Sequence, residues 1–102
     1  MVQAAPASLS GTLRTFLLAD IRGYTAYSHQ HGDDAAAHLS EAFLALCREV
    51  VADHQGDLFG SAGDQALAAF PSARSALRAA VALQARLARE QETHPALPMR
   101  AG

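Results

Sequence analysis

The feature that most constrains the fold is an apolar run over residues 12–20, "TLRTFLLAD". Every position from 16 to 19 is apolar, so an extended chain would be hydrophobic on both faces there. This pattern is typical of a central strand buried on both faces. We therefore expect residues 12–20 to lie in the middle of a sheet, with neighbouring strands and a covering layer supplied by the rest of the chain.

Two longer segments carry the helical period. Residues 33–56 begin with acids, of which Asp33 can cap a helix, and they end at Gly56, which can stop it. Their apolar stripe consists of Leu39, Phe43, Leu46, Cys47, Val50, Val51 and His54. Ser72 can cap a second helix, and Pro95 terminates it. Its predicted packing face is rich in alanine and consists of Ala73, Ala76, Leu77, Ala80, Val81, Gln84 and Leu87.

The remaining segments complete an α+β pattern. Residues 57–70 place two short apolar stretches around a Gly-Ser-Ala-Gly-Asp centre, which predicts a β-hairpin. Residues 25–31 can form one or two helical turns that end at Gly32, and the last residues, "LPMRAG", are typical of the start of a strand. The predicted order is β-α-α-β-β-α followed by a truncated strand. Residues 1–11 are expected to be a flexible lead-in, and residues 12–102 one domain that is truncated at its C-terminal side.

Composition narrows the classes of function. The formal net charge of -2 creates no basic field for nucleic acid or an anionic membrane, so neither is an expected partner. No apolar run approaches the ~20 residues of a membrane span. The single cysteine, Cys47, excludes an internal disulfide and fits a reducing compartment, so we expect a cytoplasmic location. All eight basic residues are arginine, and the chain has no lysine.

Two acids stand at the ends of predicted strands beside a glycine. Asp20 ends the first strand and Asp64 lies at the hairpin tip. Each alone is explained by an ordinary turn or cap. If the two strands are neighbours, however, the two carboxylates lie close together and can supply oxygen ligands to Mg²⁺ or Mn²⁺. These ions usually bind substrate phosphates as well. The glycine turn at Gly23 leads into a helix, where backbone N–H groups can hold phosphate.

Three motifs together resemble the first half of a class III nucleotidyl cyclase catalytic domain. They are "FLLADIRGYT", the hairpin "GDQALAAF" and the closing "MRAG", and the resemblance covers residues 12–102. It implies an incomplete ferredoxin-like cyclase fold. It also implies that two Mg²⁺ or Mn²⁺ ions are bound by the carboxylates of Asp20 and Asp64 and by the carbonyl of Ile21.

The resemblance also implies how a nucleotide is held. The amides of Gly23, Tyr24 and Thr25 would bind its phosphates. Arg22, next to this turn, is either a further phosphate ligand or a solvated surface residue. The implied reaction is attack of the ribose 3′-hydroxyl on the α-phosphorus of a purine nucleoside triphosphate, with release of pyrophosphate. A second cyclase domain, identical or different, would be the partner.

The hairpin departs from the family pattern. Gly60 occupies the position where purine-selecting cyclases carry a lysine or an acid, so the choice between ATP and GTP stays open. Ala62 and Gly63 would lie next to the nucleotide. The asparagine and arginine that complete a cyclase site have no match, and no catalytic residue is assigned. The alternative function is therefore a non-catalytic cyclase-homology module for dimerisation or regulation.

The histidines and the cysteine suggest no further site. The histidine spacing fits no structural zinc pattern. We interpret His29, His31, His38, His54 and His94 as surface or boundary residues. Cys47 lies in the apolar stripe and is expected to be an inert core residue.

Overall fold

A computed structural model describes the backbone of residues 3–9 and 12–102, and side-chain environments from residue 14 onward. The class is α+β, and the order from the second strand onward is β-α-α-β-β-α, as predicted. The elements are β1 Gln3–Leu9, β2 Thr12–Asp20, α1 Tyr24–His31, α2 Asp33–Asp53, β3 Asp57–Ala62, β4 Gln65–Phe70 and α3 Ala73–Thr93. Within this described part, no helix has both the length and the apolar character needed to cross a bilayer.

The strands form one antiparallel sheet in the order β1-β2-β4-β3, so β2 is internal as predicted. The prediction of a flexible lead-in needs correction at residues 3–9, which form a strand paired with β2. The pairing begins with Gln3 opposite Leu18 and ends with Leu9 opposite Thr12. The other residues of that predicted lead-in lie outside the described residues. Nothing local marks residues 3–9 as a strand, because "QAAPASL" contains a proline and no alternating pattern.

The helices cover one face of the sheet. Leu17 and Ala19 of β2 are buried in a single core with Phe43 of α2 and Leu83 of α3. On the opposite face Phe16 is half-buried, and so are its neighbours Leu18 of β2 and Leu67 of β4. The expectation that β2 is covered on both faces is therefore met on one face only.

The packing face of α2 agrees with the sequence. Its buried residues are Ala36, Leu39, Phe43, Leu46, Cys47, Val50 and Val51, and His54 at the end is half-buried. The helix ends at Asp53, before the predicted Gly56, because Gln55 adopts a φ of 61°. Its N-cap is Gly32 rather than the predicted Asp33.

The predicted packing face of α3 is correct in part, since Ala76 and Leu87 are buried as predicted and Ala80 is half-buried. Its buried residues are Ala76, Ala79, Leu83 and Leu87, whereas Leu77 and Val81 are 62% and 65% exposed. The exposed Arg74, Arg78 and Arg89 lie on the side away from these buried residues, so the helix is amphipathic. The predicted stripe was displaced toward Leu77 and Val81 and omitted Leu83. The predicted cap is confirmed, because the Ser72 hydroxyl accepts a hydrogen bond from the Ser75 amide at 3.1 Å.

Candidate functional site

The ends of β2 and β4 bring the two predicted acids to one edge of the sheet. Asp20, the last residue of β2, pairs with Gln65 of β4. The next backbone contact continues this ladder, because the Ile21 amide donates to the Asp64 carbonyl at 2.8 Å. The condition that the two strands be neighbours is therefore met.

Alternation along β2 determines which face carries Asp20. Ala19 and Ile21 are buried against the helices, so the half-buried Asp20 lies on the opposite face. The register places Gln65 and Ala62 beside Asp20 in one row across the sheet. Gly60 lies in the next row along the same face, with Leu18 and Leu67.

The hairpin tip is held by a contact with α2. Gly63 adopts a φ of 56°, a conformation that favours glycine, and the neighbouring Asp64 is half-buried. The Ser40 hydroxyl of α2 donates to the Gly63 carbonyl. Sequence analysis missed Ser40, because nothing in the local pattern links an exposed helix position to a turn 23 residues away. The contact fixes the position of the turn that carries Asp64.

The turn after Asp20 begins α1 in a way that leaves its first amides available. Gly23, at a φ of 77°, is the N-cap and has no side chain to accept a hydrogen bond. The Tyr27 amide donates to the Gly23 carbonyl at 3.0 Å, which starts the helical ladder. Tyr24 and Thr25 belong to the first turn, whose N–H groups have no partner inside a helix. Such a terminus attracts anions.

Two arginines lie beside this helix terminus. The Arg22 amide donates to the Arg100 carbonyl at 2.8 Å, and both residues line a cavity of about 470 Å³ with Gly23. Gln84 of α3 positions the segment by donating from Nε2 to the Ala101 carbonyl at 3.1 Å. Sequence analysis missed Arg100, although it belongs to the "MRAG" motif. Arg100 is the second arginine among the residues that line this cavity.

Arg86 and Cys47 have structural roles outside this edge. The Arg86 guanidinium of α3 pairs with the Glu49 carboxylate at 3.2 Å. Among the described residues there is no group of three or more histidine, cysteine, aspartate or glutamate residues that could hold a metal. Cys47 is buried, and burial raises the pKa of its thiol to about 12, which agrees with its interpretation as an inert core residue.

The predicted donor set nevertheless fits a hard cation. It consists of the carboxylates of Asp20 and Asp64 and the carbonyl of Ile21, so every donor is an oxygen. Oxygen donors suit Mg²⁺ and Mn²⁺, whereas zinc sites generally use nitrogen and sulfur. Two side-chain carboxylates are sufficient for such a site, because these ions usually keep waters or take phosphate oxygens as their other ligands.

Comparison with known proteins assigns no family. Neither the protein-family models nor the curated proteins contain a match to this chain. The interpretation of the site therefore depends on its geometry and on the motifs that it contains.

Proposed function

We propose that this chain is the metal- and phosphate-binding portion of a class III nucleotidyl cyclase-type domain. The observation that carries the proposal is the hydrogen bond from the Ile21 amide to the Asp64 carbonyl, with Asp20 immediately before it. It places the acid that ends β2 and the acid in the turn just before β4 at one edge, next to the Gly23 turn. The domain would convert a purine nucleoside triphosphate to a cyclic nucleotide and pyrophosphate in signalling.

Each group at this edge has a role in the proposal. The Asp20 and Asp64 carboxylates and the Ile21 carbonyl would hold two Mg²⁺ or Mn²⁺ ions. When bound, the ions lower the pKa of an attacking hydroxyl and neutralise the charge on the leaving pyrophosphate. The amides of the first turn of α1 would bind the phosphates, assisted by the guanidinium groups of Arg22 and Arg100.

The fold supports a ferredoxin-like arrangement for the proposed domain. From β2 onward two helical crossovers and a hairpin lie on one antiparallel sheet. Ala101 then forms one antiparallel bridge with Ile21, just beyond the part of β2 that pairs with β1. The uncovered sheet face carries Phe16 and the 58% exposed Phe59, which suits contact with a second cyclase domain.

One observation favours the non-catalytic alternative. Gly60 occupies the base-reading position of the resemblance, on the same face as Asp20, and offers no side chain to a purine. A cyclase-homology module used for dimerisation or regulation would not need a base contact. The two functions differ in whether the acidic edge binds a metal–nucleotide complex.

Calorimetric titration tests the proposal. The probes are Mn²⁺ together with α,β-methylene analogues of ATP and GTP, which cannot be cyclised. Asp20→Asn and Asp64→Asn should each weaken binding of the complex by about tenfold or more, because each removes a charged ligand. Asp57→Asn, an exposed position at the start of β3, is the matched control and should leave binding unchanged.

The outcomes separate the two functions. Binding that depends on Asp20 and Asp64 but not on Asp57 supports the metal and phosphate site. Equal binding by all variants contradicts it. No binding by a folded chain that still self-associates favours the non-catalytic module.

A further inference from the structure

A second cavity shares Gly23 and Arg100 with the one at the candidate site. It has a volume of about 300 Å³ and lies between α1 and the segment of residues 95–100. One face of α1 forms its first wall, since these residues follow helical steps of three and four: Gly23, Ala26, Tyr27, Gln30 and His31. The proposed function uses Gly23 but gives no role to the other four residues of this face.

The second wall is held in place by its own hydrogen bonds. Gln91 of α3 donates from Nε2 to the Pro95 carbonyl at 3.0 Å and accepts from the Met99 amide at 2.9 Å. The Leu97 amide donates to the His94 carbonyl at 3.0 Å. Pro95 and Pro98 further restrict the backbone. A ligand would meet a wall that needs little ordering on binding.

Ring and apolar side chains form part of the cavity lining. The rings of Tyr27 and His31 contact each other on α1, with centroids 4.5 Å apart and planes at 35°. Leu97 and Pro98 line the opposite wall. Aromatic rings stack well on such surfaces, where they bury area and contact other rings in offset geometry.

The polar groups of the cavity select against cations. Arg100 supplies a guanidinium, and Gln30 supplies an amide that can donate a hydrogen bond. No carboxylate is found among the described residues that line it. Guanidinium groups bind carboxylates and phosphates through paired N–H donors. The charged ligand group that suits these side chains is an anion.

We infer that the cavity between α1 and residues 95–100 binds a small planar aromatic molecule that carries one anionic group. The ring lies against Tyr27 and His31, and the anion is held by Arg100. A volume of about 300 Å³ is at the lower end of small-molecule sites, so the ligand has one or two rings. This site shares Gly23 and Arg100 with the proposed phosphate site and uses none of the proposed metal ligands.

Fluorine NMR of the full chain in metal-free buffer tests the inference, with 4-fluorobenzoate as the probe. A ligand of about ten non-hydrogen atoms should bind with a Kd of about 1 mM. The uncharged analogue 4-fluorobenzamide should bind at least about fivefold more weakly, because it lacks the anion. In proton–nitrogen NMR spectra of the protein, the amide resonances of Ala26, Tyr27 and Ala96 should shift when the probe is added. Equal affinity for the two probes, or shifts located elsewhere, would overturn the inference.

Two variants make the test specific to this cavity. Arg100→Gln should weaken binding of 4-fluorobenzoate by about tenfold, whereas Arg89→Gln, an exposed arginine of α3 outside the cavity, should not change it. Ala26→Leu fills the cavity and should abolish binding. Its control is Ala45→Leu, at an exposed position of α2.

A further variant separates this site from the metal site. Asp20→Asn should leave binding of 4-fluorobenzoate unchanged. Loss of binding in Asp20→Asn, or full affinity in a folded Ala26→Leu variant, contradicts the assignment. Ala26→Leu keeps the test decisive if Arg100→Gln fails to fold.

Discussion

The Ile21 amide and the Asp64 carbonyl lie 2.8 Å apart, in a hydrogen bond that extends the β2–β4 ladder one residue beyond the Asp20–Gln65 pair. Ile21 is buried beneath this bond, and Ser40 holds the neighbouring turn at Gly63. The edge that carries both acids is therefore supported by the core on one side and by α2 on the other. A supported edge is what a preorganised ligand site requires.

The first prediction concerns the distance between the two acids. We expect the carboxylate groups of Asp20 and Asp64 to lie roughly 4–7 Å apart, because the ions of a two-metal site are ~3.5–4 Å apart. A crystal structure with Mn²⁺ and a non-cyclisable nucleotide measures this distance. Carboxylates on opposite faces of the sheet, or more than ~10 Å apart, would contradict the metal site.

The second prediction concerns turnover by the 102-residue chain alone. We expect no measurable cyclic AMP or cyclic GMP with Mg²⁺ or Mn²⁺. The sequence contains no asparagine to orient the ribose, and loss of one preorganised donor lowers a rate by ~10²–10³. Chromatography of the products after long incubation checks this. Turnover that Asp64→Asn abolishes would show that the prediction is wrong.

The third prediction concerns Gly56, between α2 and β3. A Cβ at this position would place three ring carbons of Phe70 within 2.8 Å, and Phe70 is fully buried, so its ring has no room to move. Gly56→Ala should lower the free energy of unfolding by about 1–3 kcal/mol. Urea denaturation measures the change.

Gly60→Ala is the matched control for this substitution. Its Cβ would meet Leu67 at 3.4 Å, an ordinary contact, so the same residue change should cost little. Equal stability of the two variants would refute the account of Gly56.

The fourth prediction concerns Cys47. Burial raises the pKa of its thiol from 9.0 to about 12, so the folded state holds this proton more tightly than the unfolded state. The resulting stability is present below pH 9 and is lost as the pH rises toward 12. The free energy of unfolding should therefore fall more steeply over this range in the native chain than in Cys47→Ala.

Alkylation gives an independent check on Cys47. Iodoacetamide at pH 8 should modify the thiol in urea and not in the folded chain, because the thiolate is the nucleophile. Equal modification rates in the two conditions would contradict the burial argument.

The fifth prediction concerns self-association. Phe59 projects from a β-bulge of β3 with 58% of its surface exposed, and its ring centroid lies 5.7 Å from that of Phe16. Burial of this apolar face should favour association as the concentration rises. Light scattering should show an increasing mean mass for the native chain and a smaller increase for Phe59→Ser.

Leu77→Ser is the control for this surface, since Leu77 is 62% exposed on α3 and lies away from the open sheet face. It should associate as the native chain does. A compact monomer at every concentration, with cooperative unfolding by circular dichroism, would show that the association prediction is wrong.

The sequence by itself determined the elements whose signals are local. The stripe of α2, the Ser72 cap of α3 and the glycine turn of the hairpin are each specified by residues a few positions apart. The candidate acids were found in the same way, because Asp20 and Asp64 each end a recognisable apolar segment beside a glycine.

Tertiary structure decided the features that depend on distant pairing. β1 is a strand because β2 offers it an edge, and its own residues carry no strand pattern. The exact packing face of α3 was decided by the sheet. Arg74, Arg78 and Arg89 mark its exposed side, but only the packing shows that Leu83 enters the core while Leu77 and Val81 stay exposed. Ser40 and Arg100 reach the candidate site from distant parts of the chain, through contacts that no local spacing encodes.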